Sequence, residues 1–130
     1  MRRLVAIPLL LLFAGLSLGQ EPLDQYAGWT QLRATPTQRF RVSKLDGRWW
    51  FVDPEGNAFL SLGVNSVNLS PGDGRYREAA FAKHGGRRDW AVAAVQRLRA
   101  WGFTTLAADS DRQTWRLGMP YTVELGLSDR

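Results

Sequence analysis

Residues 89–106 read "DWAVAAVQRLRAWGFTTL", and no other stretch of the 130-residue chain limits its possible folds as strongly. Ala91, Ala94, Val95 and Leu98 recur at the i, i+3, i+4, i+7 spacing of one buried helix face. Asp89 is placed to cap the start of that helix. At its other end, Gly102 stands where the chain must turn left-handed, and Phe103 is placed to pack back on Leu98 as in a Schellman ending. A short apolar run, "TTLAAD", follows at once, and an almost continuous apolar and small run, "AFLSLGV", lies upstream at 58–64. Such runs suit strands covered on both faces in a parallel sheet better than half-wet antiparallel strands. Strand, loop, helix and strand in this order predict a βαβ unit, and hence an α/β fold. A third candidate strand, "YTVELGL" at 121–127, follows a Gly-Met-Pro stop.

Ahead of this unit, Phe40 and Val42 alternate with Arg41 and Ser43, and Asp46-Gly47 is a favoured two-residue hairpin turn leading into the return strand "RWWFV". Counting outward from the turn pairs Lys44 with Trp49, Ser43 with Trp50 and Val42 with Phe51. Phe40, Val42, Trp49 and Phe51 then share one face, with Trp50 and Val52 on the other. Burying four large apolar side chains contributes on the order of 1.5 to 3 kcal/mol each. Trp49 and Phe51 are therefore expected to be structural, and Trp50 either covers a neighbouring element or stacks on a sugar. The turn "DPEGN" places Pro54 and Gly56-Asn57 where their backbone preferences fit, and launches the next strand.

The N-terminus has the form of an export signal. Arg2 and Arg3 precede an apolar run at 4–18, and small residues stand before Gln20. The run is shorter than the ~20 apolar residues of a spanning helix and is interrupted by Pro8. The expectation is a signal peptide at 1–19 and a secreted or periplasmic product. Without Arg2 and Arg3, the 17 basic residues become 15 against 12 acidic ones, a net charge of about +3. That charge is dispersed, so no nucleic-acid interface is expected. The absence of cysteine excludes disulfides, thiolate catalysis and cysteine-bound zinc, and His84 as the single histidine argues against a serine-histidine-aspartate triad or a multi-histidine metal site. No cofactor and no metal are expected. Residues 20–38 mix Pro, Gly, Thr and Gln without periodicity and are expected to form an irregular lead-in. A long polar segment follows Ser66, with a short helix expected around 78–83.

The hairpin "DGRWWFVDPEGNAF", then "LSLGVN", then "RLRAWGFTTL" resemble the opening of the (β/α)8 barrel of secreted glycoside hydrolases similar to agarases. The resemblance spans roughly residues 40–127 and implies that 39–130 form a hairpin plus the first βαβ units, about three of the eight strands. Thr104 departs from the pattern, standing where such proteins often carry asparagine. Glycoside hydrolysis needs two carboxylic acids roughly 5 to 5.5 Å apart for retention and further apart for inversion. The resemblance places these at the ends of the fourth and seventh strands, which are not among those found here, and no catalytic residue is assigned. A barrel takes typically ~250 residues, so the resemblance implies a truncated or split enzyme, inactive alone, whose partners are a polysaccharide or oligosaccharide and a complementing barrel fragment.

Barrels bind substrates at the C-terminal ends of their strands. Asn65 and Asp109 occupy those positions and are the candidate sugar-binding residues, an amide being able both to donate to and accept from a hydroxyl. Asp109 and Asp111 are two apart and could form a carboxylate pair, whereas Asp111 also fits a helix cap, and Glu78, Glu124 and His84 read as surface residues. A different class of function, a carbohydrate-binding or adhesion module without catalysis, is suggested by the 6 tryptophans and the hairpin. It would need further alternating strands where the chain instead offers the helix that ends at Trp101. Export has a direct consequence: the secreted product should begin at Gln20 by intact-mass measurement. A membrane-bound chain retaining Met1 would contradict cleavage.

Overall fold

A computed structural model of the chain describes residues 22–69 and 74–127. The proposed signal peptide at 1–19 lies outside these residues. The described strands are β1 (Trp29–Arg33), β2 (Arg41–Leu45), β3 (Arg48–Val52), β4 (Asn57–Phe59), β5 (Gly63–Val64) and β6 (Thr105–Leu106), and the helices are α1 (Arg75–His84), α2 (Arg87–Ala100) and α3 (Arg112–Trp115). The first four strands form an antiparallel sheet in the order β1-β4-β3-β2, and β5 pairs with β6 in parallel. No helix among the described residues is long and apolar enough to cross a membrane.

The hairpin register is the one that the alternation predicts: Lys44 opposite Trp49, Ser43 opposite Trp50, Val42 opposite Phe51. Asp46 and Gly47 both have positive φ (47° and 78°), as the tight turn of a right-twisted hairpin requires. The expected burial of the Phe40, Val42, Trp49 and Phe51 face is not found. Trp49 is 72% exposed and Phe51 52%, while Val52 on the opposite face is fully buried against Ala58. Alternation determines which side chains share a face, but not which face finds a covering layer. Here the described residues cover only one corner of the aromatic face, where Phe40 packs edge-on against Phe59 at 5.3 Å and Tyr26 against Phe40 at 5.6 Å.

The run at 58–64 is not one parallel strand, as expected, but two elements in two sheets. Asn57–Phe59 lies between β3 and β1, and the chain then breaks before Gly63. Thr104 holds the joint, its hydroxyl donating to Leu60 O at 2.7 Å and accepting from Leu62 N at 2.8 Å. Leu60 and Leu62 themselves remain exposed. Part of the stretch read as irregular also forms a strand, since β1 pairs with β4 through a register shift between Trp29 and Arg33. A five-residue strand with a bulge leaves too little alternation to register in the sequence.

The crossover follows the βαβ pattern. Helix α2 starts two residues earlier than Asp89, which stands in the first turn and not at the cap; Gly86 holds the cap position. A carboxylate there still faces the positive end of the helix dipole. At the other end, Gly102 (φ 83°) and the paired bonds Phe103 N to Leu98 O and Gly102 N to Arg99 O, both 3.0 Å, complete the Schellman motif. Val95, Leu98, Leu106 and Met119 form one buried cluster, and Leu69, Ala80, Trp90 and Ala91 another between α1 and α2. The third candidate strand begins beside β6, with Leu106 N donating to Pro120 O at 2.8 Å and Thr122 N to Leu106 O at 2.9 Å. Beyond Thr122 no ladder continues among the described residues, and Val123, Leu125 and Leu127 are exposed.

These burial values rank two substitutions. Val52→Ala should cost about 2 kcal/mol in urea unfolding, as a cavity in a sealed core does, whereas Trp49→Ala should cost less than about 1 kcal/mol. An equal loss from both would show that the aromatic face is packed after all.

Candidate functional site

The parallel pair gives the molecule two chemically different ends. At the N-terminal ends of β5 and β6, apolar and hydroxyl side chains meet the hairpin sheet, with Phe40, Phe51, Phe59, Thr105 and Tyr121 lining the space between them. At the C-terminal ends, the exposed loop residues Asn65, Ser66 and Asp109 are polar, with Asn68 half-buried beside them.

Asp109 and Asn65 therefore lie at the same end of the sheet, as the sequence predicts. Asn65 is exposed just beyond β5. Asp109 is also exposed, with a left-handed backbone (φ 57°) that turns its carboxylate back over β5. There it accepts from Asn68 Nδ2 at 2.9 Å and Ser66 Oγ at 3.2 Å. Asn68 Nδ2 also donates to the Asp109 carbonyl at 2.9 Å, and Ser66 N to Ala108 O at 2.8 Å. The loops after the two strands are thus tied to each other, leaving the outer lone pairs of the Asp109 carboxylate toward solvent.

Asp111 has a different task. Its Oδ1 accepts from Gln113 N at 2.9 Å, capping α3, and its Oδ2 accepts two bonds from Arg87, Nε at 2.9 Å and Nη2 at 2.8 Å. The Asp111 side chain is almost fully buried, while that of Arg87 is 57% exposed. A buried carboxylate with a two-pronged guanidinium partner is a structural anchor, and it holds the start of α2 against the loop after β6. Asp109 and Asp111 consequently do not combine as a carboxylate pair. Glu78 lies in the first turn of α1, His84 in its last turn, and Glu124 on the exposed terminal segment. Asn68, Ser66 and Arg87 are site neighbours that the sequence does not reveal: nothing in their spacing shows that they reach toward 109–111.

A second acidic pair lies away from these loops. The carboxyls of Asp24 and Asp53 lie together beside Gly28 and Asn57. Burial, the Asp24 hydrogen bond and its charge raise Asp53 above the ordinary carboxylate value, against the lowering effect of backbone donors. Asp24 is also pushed up by burial, but bonds from Asp53, Gly28, Asn57 and Tyr26 together outweigh this and leave it lowered. Divergent acidities of this kind suit acid and base roles. Both carboxyls crowd one point at Gly28, however, and Asp53 is fully buried, so no glycosidic bond can lie between the two groups as hydrolysis requires.

No protein-family model matches the chain. Over 45 residues it is 40% identical to Beta-agarase B of Vibrio sp. (strain JT0107), a span of 34% of this chain and 5% of that protein. The crystal structure of BpGH50 superposes with a TM-score of 0.59 and 26% identity, over 72% of this chain and 20% of that one. An agarase, AgWH50C, superposes with a TM-score of 0.64 and 16% identity, over 76% of this chain and 23% of that one. The chain thus spans about a fifth of the length of the solved structures and far less of the curated relative. In sequence over one stretch, and in fold over about three quarters of its length, it is similar to a segment of agarase-type glycoside hydrolases.

Proposed function

We propose that the chain is the opening portion of a (β/α)8 barrel that hydrolyses agarose-type polysaccharide, and that Asn65 and Asp109 bind sugar hydroxyls at its substrate face. The observation that carries this reading is the polarity of the parallel pair: hairpin at the N-terminal ends of β5 and β6, tied polar loops at the C-terminal ends. Barrels place substrates at the C-terminal ends. The similarity to Beta-agarase B supports agarose as the substrate class.

In this reading the catalytic acid and nucleophile come from further strands, supplied by a following or separate polypeptide. Those strands would also cover Val42, Trp49, Phe51, Leu60 and Leu62, which are exposed among the described residues. Arg87 and Asp111 would keep the loop after β6 in place, and export would deliver the product outside the cytoplasm after cleavage near Gly19-Gln20. The chain alone would not hydrolyse agarose, since no partial rate survives when acid, base and nucleophile are all missing.

The exposed Trp49 supports a second reading, a non-catalytic carbohydrate-binding or adhesion module in which the aromatic face stacks on sugars. It predicts retention of the chain on agarose beads and loss of retention in Trp49→Ala. The barrel reading predicts no dependence on Trp49.

A chimaera tests the barrel reading. When residues 40–127 replace the corresponding segment of AgWH50C, the product should release reducing ends from agarose, and Asp109→Ala in the chimaera should lower kcat/KM by about tenfold, the ~1.4 kcal/mol of one or two sugar hydrogen bonds. The isolated chain should release none above a buffer control. A folded chimaera without activity, or activity of the isolated chain that Asp109→Asn abolishes, would overturn the assignment.

A further inference from the structure

The acidic pair that cannot serve hydrolysis sits at a junction of three segments. Asp24 belongs to the lead-in, Asp53 to the turn between β3 and β4, and Asn57 starts β4. Asp53 Oδ1 is fully engaged, accepting from Glu55 N at 2.8 Å and Asn57 N at 3.0 Å. Asp24 Oδ1 accepts from Tyr26 N at 2.9 Å and Gly28 N at 2.7 Å, and its Oδ2 accepts from Asn57 Nδ2 at 2.7 Å. Asp53 Oδ2 is buried, and no N–H or O–H donor among the described residues reaches it. A side-chain carbon at Gly28 would lie 1.9 Å from that oxygen and 3.1 Å from Asp24 Oδ1, so the two carboxyls press against the same point of the lead-in backbone. Two ionised carboxylates in that contact, one wholly out of water, would repel strongly, and a single proton removes the conflict.

We propose that Asp24 and Asp53 share one proton, held by Asp53 and donated to Asp24, and that this carboxyl–carboxylate bond is a pH-sensitive clip fastening the lead-in to the hairpin sheet. The lead-in has a second neighbour, since Leu23, Asp24 and Tyr26 line a cleft together with Arg99, Phe103 and Met119 of the βαβ part. Release of the clip would therefore loosen a segment that touches both halves of the described molecule. The charged or titratable groups around the pair are Tyr26 of the lead-in, Arg33 of β1, Glu55 of the turn and Arg99 of α2. Glu55 is engaged by Gln25 Nε2, and Arg99 lies across the cleft on the Asp24 side.

The two acidities bound the working range. Asp24, lowered from 3.8, contributes stability that is present above 3.8 and lost as pH falls through its folded value. Asp53, raised from 3.8, contributes stability that is fully present below 3.8 and lost as pH rises through its folded value. Between the two, the pair holds one proton and the lead-in is clipped.

The test needs no substitution at first. In a carboxyl-carbon NMR titration of the wild-type chain, Asp24 should inflect below 3.8 and Asp53 above it, and protection of the Tyr26 and Gly28 amides from exchange should fall at least tenfold as Asp53 ionises. Asp53→Asn, which keeps both acceptor bonds and donates permanently through its amide, should retain that protection at alkaline pH. Both groups titrating together at 3.8, or the same alkaline loss in Asp53→Asn, would overturn the proposal. So would Tyr26 and Gly28 protection that disappears with EDTA and returns with Ca2+, which would put a cation where the proton is assigned.

Discussion

Everything in the described molecule is oriented by one parallel strand pair, β5 and β6, closed through helix α2. Two strands of two residues each contribute few hydrogen bonds, so the pairing depends on the crossover. Leu106 is completely buried beneath Val95 and Leu98, and the Schellman turn at Gly102 returns the chain to β6 at the required angle. Parallel strands need such a crossover because no tight turn can join them. Once the pair is set, its two ends are set too, and with them the positions of the hairpin sheet and of the polar loops.

The joint between the two sheets is a polar one. Leu60 O and Leu62 N, which bond each other at 3.1 Å, both also bond the hydroxyl of Thr104 at the point where the run 58–64 leaves the antiparallel sheet for the parallel pair. Bending the chain there leaves backbone groups without ladder partners, and an adjacent side chain that both donates and accepts is the economical remedy. Thr104 thus does a job that its short branched side chain suits.

Local chemistry was legible in the sequence wherever it is self-contained. The hairpin register follows from Asp46-Gly47, the helix end from Gly102 and Phe103, and the α3 cap from Asp111, because each depends on neighbours within a few residues. The exposure of Trp49 and Phe51 was not legible, since a covering layer is a long-range property of the fold. Nor was the bulged strand β1, or the contact of Asp24 with Asp53 across 29 positions of sequence. The candidate site was half visible. Asn65 and Asp109 could be found by reading strand ends, but Ser66 and Asn68 contribute through contacts that only the parallel pairing creates.

The proposed reading puts sugar at the Asp109 end and assigns the hairpin aromatics to packing against further strands. Nitrogen-15 NMR of residues 20–130 titrated with an agaro-oligosaccharide measures this directly, because the two ends carry different backbone amides. The account predicts shift changes confined to Asn65, Ser66, Asn68 and Asp109, with Trp49, Trp50 and Phe51 unmoved. Changes centred on Trp49 and Phe51 and absent from the 65–68 and 109 loops would contradict it.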